Sequence, residues 1–175
     1  MSVYVALLRA INVGGTGMLP MAELRAICEG IGFEAVKTYI QSGNVVFRSS
    51  LDEPTVRTKL EEALTKAMGK TPGVILRSRA ELEAVAKNAP FPHAKPNFLL
   101  VTFLAEPPPG DALDALSAPG GEEVQIAGRE IYIHFPQGSG TSKLKLPALK
   151  PGTARNLNTV RKLAEMAAEI EAQAG

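Results

Sequence analysis

The residues of this chain whose types suit chemistry are Arg9, Asn12, Gly14, Ser42, Asn44, Lys143, Arg155, Asn156 and Asn158. Arginine and lysine capture phosphate or carboxylate, the first through a planar fork and the second as a point charge. Asparagine and serine orient a polar ligand without adding charge, and glycine lets backbone approach it. The set therefore predicts a binder of a small anionic or nucleotide-like ligand, converging in a cleft between two lobes. It pairs no nucleophile with a general base, so no reaction and no catalytic residue are assigned. His93 stands in the proline-rich string APFPHAKP and His134 on a strand with Ile131 and Ile133. Two isolated histidines fall short of the three or four ligands of a metal centre, so no metal, no stoichiometric zinc and no cofactor are expected. The single Cys28 falls on the apolar stripe of a helix with no histidine or basic partner to activate it, which predicts an inert buried thiol.

These residues sit on elements that the hydrophobic pattern defines. Val3 to Ile11 is almost unbrokenly apolar and runs into Gly14, Gly15 and Gly17, which predicts a central strand buried on both faces. Arg9 then lies near the end of a core element and needs a partner, either a structural carboxylate or carbonyl or an anionic ligand. Pro20 opens a helix through Leu24, Ile27, Cys28 and Ile31 that Gly32 ends, with no evident side-chain cap for its first amides. The glycine loop before it has neither a Gly-Lys-Ser/Thr ending nor GxGxxG spacing, which favours a plain strand-to-helix turn over a nucleotide loop. Val36, Thr38 and Ile40 alternate into Ser42-Gly43-Asn44 and then Val45, Val46 and Phe47, a hairpin whose polar residues satisfy turn backbone or face a ligand.

Further along, Asp52 caps a helix through Val56, Leu60 and Leu64, Val74 to Leu76 form a short strand, and Ser78 caps a third helix. This β-α-β-β-α-β order is the split arrangement of ferredoxin-like domains. Pro90 to Pro96 mark a boundary, giving lobes 1–89 and 90–175 that form one compact unit. The second lobe repeats the scheme with an apolar strand at Phe98 to Leu104, a short helix at Asp111 to Leu116 and a hairpin about Gly128. The expected fold is thus α+β: two packed ferredoxin-like lobes with antiparallel-rich sheets and a C-terminal helix. Asn158 is the expected cap of that last helix. Arg161 and Lys162 then fall in its first turn, against the macrodipole, as part of a solvated face or because an anion docks beside them and Arg155.

The strings LLRAINVGG, PMAELR, YIQSGNVVF and ARNLNTVRKL resemble the bacterial family catalogued as domain of unknown function 1697. The resemblance runs over nearly the whole chain and implies a two-lobed α+β protein of repeated ferredoxin-like type without an established reaction. Leu157 stands where a tryptophan is common in that family, and Thr16 where a more polar or histidine-bearing loop is common.

The 175 residues are 45% hydrophobic and 21% charged, enough to bury a sizeable core. A net charge of +1 supplies no global drive toward nucleic acid or a membrane surface. One cysteine rules out an internal disulfide, and the short opening apolar run reads as a strand rather than an export signal, so the cytoplasm is the expected location. Nucleic-acid binding on an open ferredoxin-like sheet is the alternative, weakened by an aromatic content of only 5%. A structural or oligomeric role is the third reading.

Overall fold

A computed structural model describes residues 1–9, 19–39, 43–70 and 72–174. The chain divides into two compact units, residues 1–82 with 163–175, and residues 83–162. The division falls a few residues before the proline-rich segment.

The first unit is built on an antiparallel sheet of four strands, β1 (Ser2–Leu8), β2 (Glu34–Tyr39), β3 (Asn44–Ser49) and β4 (Val74–Ser78), in the order β2-β3-β1-β4. The expected central strand is central, paired with β3 on one side and β4 on the other. Its described part ends at Leu8, and the expected extension to Ile11 lies outside the described residues from residue 10 onward. Strand alternation sends Tyr4, Ala6 and Leu8 into a core with Val45, Phe47, Val74 and Leu76, while Val3, Val5 and Leu7 on the opposite face are buried too. Two helices fill that core. From α1 (Met21–Ile31) come Leu24 and Cys28, and from α2 (Glu53–Met68) come Val56, Leu60 and Leu64. Pro20 precedes α1 at φ −60° with no side-chain cap, and Gly32 ends it in the left-handed region at φ 105°. Asp52 caps α2 by accepting from the Thr55 amide at 3.0 Å. The next helix, α3 (Arg79–Lys87), opens on a reciprocal capping box: Ser78 N donates to Glu81 Oε1 at 2.9 Å, and Glu81 N to Ser78 Oγ at 3.1 Å.

The second unit repeats the sheet plan. Its strands β5 (Leu99–Phe103), β6 (Glu123–Ala127), β7 (Glu130–His134) and β8 (Thr153–Asn156) run antiparallel in the order β6-β7-β5-β8. Relabelled from β1, that is the order of the first sheet. The helices differ, because the β5–β6 and β7–β8 connections carry only 3-10 turns at Ala112–Ala115 and Pro147–Leu149. The helix expected at Asp111 to Leu116 is thus a single tight turn. Pro107 to Pro109 deny it an earlier start, and it buries none of its residues. One face of this sheet packs Ile131, Ile133 and Phe135 against Leu104 and Leu146.

The last helix, α4 (Leu157–Ala174), starts before Asn158. Asn156, not Asn158, accepts from the Thr159 amide at 2.9 Å, in the bonding pattern of an N-cap. Arg161 and Lys162 consequently fall beyond the first turn, where the macrodipole penalty is already small. Among the described residues, no helix is long and apolar enough to cross a membrane.

Candidate functional site

Of the residues singled out in the first unit, Asn12, Gly14 and Ser42 lie outside the described residues. Arg9 follows β1 and is half-buried. Its amide donates to the Gly73 carbonyl at 2.8 Å, and its aliphatic stem covers Gly73 so closely that a Cβ there would sit 3.0 Å from Arg9 Cδ. Asn44 is fully buried, and its Nδ2 donates to the Tyr39 carbonyl at 3.0 Å. That bond ties the start of β3 to the end of β2, a hairpin-closing role of the kind short polar residues take at turns.

Lys143, Arg155, Asn156 and Asn158 belong to the second unit. Arg155 lies on β8, opposite Val101 of the central strand, and is only 6% exposed. Its Nη1 donates to Thr153 Oγ1 at 2.6 Å and to the Ala154 carbonyl at 2.9 Å. Burial lowers its guanidinium to about 10, which still leaves it charged at neutral pH. Asn156 is engaged at the start of α4, and Asn158 is exposed.

Lys143 lines a cavity of about 190 Å³ together with Glu122, Phe135, Gln137, Thr141 and Ser142. Glu122 is held by its neighbours: Oε1 accepts from the Gly120 amide at 2.8 Å and Oε2 from Ser142 Oγ at 3.3 Å. Ser142 Oγ in turn accepts from the Leu144 amide at 3.1 Å, which orders the segment carrying Lys143. The cavity thus presents one ammonium, one fixed carboxylate and several neutral polar groups against the Phe135 ring.

Cys28 is fully buried, and burial with the nearby Glu29 charge pushes its thiol up to about 12. A protonated, inaccessible thiol has no nucleophilic role at neutral pH.

Sequence reasoning passed over two features. Arg77 on β4 is 1% exposed, with Nη1 donating to the Leu76 carbonyl at 2.9 Å. The apolar run Val74 to Leu76 predicts a short strand, and the strand continues through Arg77 to Ser78. The second feature is a cluster in the second unit. His93, Glu123 and His134 each offer one donor atom, and the three atoms lie within 4.8 Å of one another. Glu123 Oε1 is 2.7 Å from His93 Nε2 and 2.9 Å from His134 Nδ1. An ionised carboxylate only accepts, so both of these ring nitrogens carry a proton. Bonds from His134 and then His93 hold the Glu123 carboxyl below its ordinary range. The histidines set aside as isolated are therefore neighbours. The signal that could have found them is strand alternation: Glu123 and His134 are register partners across the β6–β7 hairpin.

Fold and site together define a two-unit α+β protein carrying two antiparallel four-stranded sheets of one strand order, with a polar cavity and a His/Glu cluster in the second unit. The chain belongs to the family described as Protein of unknown function (DUF1697), whose model matches residues 1–132. Among solved structures it is similar to the conserved bacterial protein SP0830 from Streptococcus pneumoniae, at 27% identity and a TM-score of 0.79, over 95% of this chain and 98% of that one. A search of curated proteins finds no match. The family match ends before His134, Lys143 and Arg155, whereas the structural likeness covers nearly the whole chain.

Proposed function

We propose that this protein binds a small anionic ligand that also donates hydrogen bonds, such as a hydroxy- or amino-carboxylate or a small phosphate ester, in the cavity beside Lys143. The observation that carries this reading is the pairing, in one cavity, of the Lys143 ammonium with a Glu122 carboxylate fixed by the Gly120 amide and Ser142. Lys143 supplies the charge for an anionic group. Each Glu122 oxygen retains a lone pair for a ligand hydroxyl or ammonium. Size narrows the ligand class, because about 190 Å³ falls below the roughly 300–1,000 Å³ of pockets that enclose drug-sized molecules. A ligand of a few heavy atoms suits that volume better than a nucleotide does.

In the same reading each unit is a ferredoxin-like lobe, the second with its helices reduced to turns. The shared strand order of the two sheets supports this, and so does the β-α-β-β-α-β succession of the first unit. Nucleic-acid binding on an open sheet is favoured less. Base stacking needs aromatic residues exposed on central strands, and Val3 to Leu8 of β1 are buried throughout.

The test is a thermal-shift screen of the full chain against small carboxylates, hydroxy- and amino-acids, and phosphate esters. A ligand that binds only the folded state raises the unfolding midpoint as its concentration rises. The reading expects at least one such compound to act in this way, and a screen in which none moves the midpoint contradicts it.

A further inference from the structure

We propose that His93, Glu123 and His134 form a binding site for a divalent transition-metal ion of the zinc type. The site is separate from the Lys143 cavity. Strand alternation sends His134 to the sheet face opposite that of Ile133 and Phe135, and Phe135 is one of the residues that line the cavity.

Three features support the assignment. The first is donor chemistry. Two imidazole nitrogens and one carboxylate oxygen suit zinc, cobalt, nickel or copper, whereas magnesium and calcium take oxygen ligands almost throughout. The second is reach. Donors about 2.0–2.2 Å from a tetrahedral ion stand roughly 3.3 Å apart. The observed 2.7 and 2.9 Å are hydrogen-bond distances, so an ion would replace the two bridging protons while the carboxylate retreats by about half an ångström and His93 closes on His134, all three donors now lying within 4.8 Å of one another. The side chains that must move are the exposed ones, His93 at 58% and Glu123 at 41%, while His134 at 11% is the fixed anchor on β7.

The third feature is backbone geometry around His93. Phe91, two residues earlier, sits at φ 60°, a left-handed conformation that a bulky residue rarely adopts. Its carbonyl accepts from the Ala94 amide at 2.9 Å, closing a turn about His93. Its ring centroid lies 6.2 Å from the His93 ring and 6.3 Å from the His134 ring. This turn aims an exposed histidine back at the strand that carries the second one. With three protein ligands, one of them well exposed, the ion keeps at least one position open to water, the coordination of catalytic rather than structural zinc sites.

The experiment is a titration of the tag-free 175-residue chain with Zn²⁺, in competition with a chelating dye, and with Co²⁺ followed by visible absorption. The proposal expects one equivalent of each ion to bind, with a cobalt spectrum of nitrogen and oxygen ligation that lacks a thiolate band. His93→Ala and His134→Ala should each weaken Zn²⁺ binding by more than roughly tenfold, a loss that outer-shell partners alone can cause. His93 is exposed, so its substitution leaves folding intact and keeps the result readable even where His134→Ala is unstable. Failure of the parent protein to bind Zn²⁺ in the micromolar range overturns the proposal. So does Zn²⁺ binding that His93→Ala leaves unchanged.

Discussion

Glu123 and His134 are register partners across the β6–β7 ladder, and the carboxylate of one lies 2.9 Å from Nδ1 of the other. Because His134 and His93 both donate to it, the Glu123 carboxyl titrates below its ordinary value of 4.5 in the folded state. A depressed carboxyl contributes stability that is fully present above its unfolded value and is lost as pH falls through the folded one. Urea unfolding midpoints of the parent protein should therefore decline below pH 4.5, and Glu123→Gln should flatten part of that decline. Asp52, likewise depressed by its bonds to Thr55, keeps part of the slope in the variant. An unchanged acid slope in Glu123→Gln would show that the carboxylate gains nothing from the two imidazoles.

The start of α4 separates two neighbouring asparagines. Asn156→Ala removes the acceptor for the Thr159 amide and should cost about 1 kcal/mol in urea unfolding. Asn158→Ala alters an exposed side chain and should stay within about 0.5 kcal/mol of the parent. The reverse ranking would return the cap to Asn158.

Gly152 precedes β8 at a point of close approach. A Cβ there would meet Thr102 Cγ2 at 2.6 Å, the Phe103 carbonyl oxygen at 2.7 Å and Leu104 Cδ2 at 2.8 Å. A backbone oxygen cannot swing aside, so Gly152→Ala should destabilise by about 2–3 kcal/mol. Gly140→Ala, where a Cβ meets nothing within 4 Å, is the matched control.

The buried Cys28, its thiol pushed up to about 12, should resist disulfide reagents in the native protein and react fully in denaturant. Cys28→Ser should leave ligand binding unchanged. Rapid native modification would contradict the packing of α1 against the first sheet.

Much of this architecture is legible in the residues themselves, and the reasons are physical. The apolar runs at Val3 and Phe98 mark β1 and β5, each flanked by a strand on both sides, and Gly43 and Gly128 mark the β2–β3 and β6–β7 hairpins at φ 79° and 60°. Caps at Asp52 and Ser78 could be read because their bonds are local. Asn156 and Asn158 offer the same side chain, and only the course of β8 decides between them, so the cap of α4 lies two residues before the expected Asn158. The His/Glu cluster was not legible for the opposite reason. The register about Gly128 pairs Glu123 with His134, but nothing in the sequence shows that the turn at Phe91 brings His93, thirty residues earlier, back to that pair. Arg155 shows the same dependence. In the sequence it is a basic residue ahead of a helix, whereas in the fold it is a buried side chain bonded to its own strand, so Arg155→Ala carries a stability cost besides any effect on a ligand.

The measurement that bears most directly on the proposed ligand site is calorimetric titration of the parent protein and Lys143→Ala with the small anion that most raises the unfolding midpoint. Lys143 is exposed, so its removal should leave the ligand-free midpoint nearly unchanged. The account predicts that affinity falls by about tenfold or more, consistent with loss of a hydrogen bond to a charged group of roughly 1.5–3 kcal/mol. Equal affinity in Lys143→Ala and the parent would place the ligand elsewhere and contradict the account.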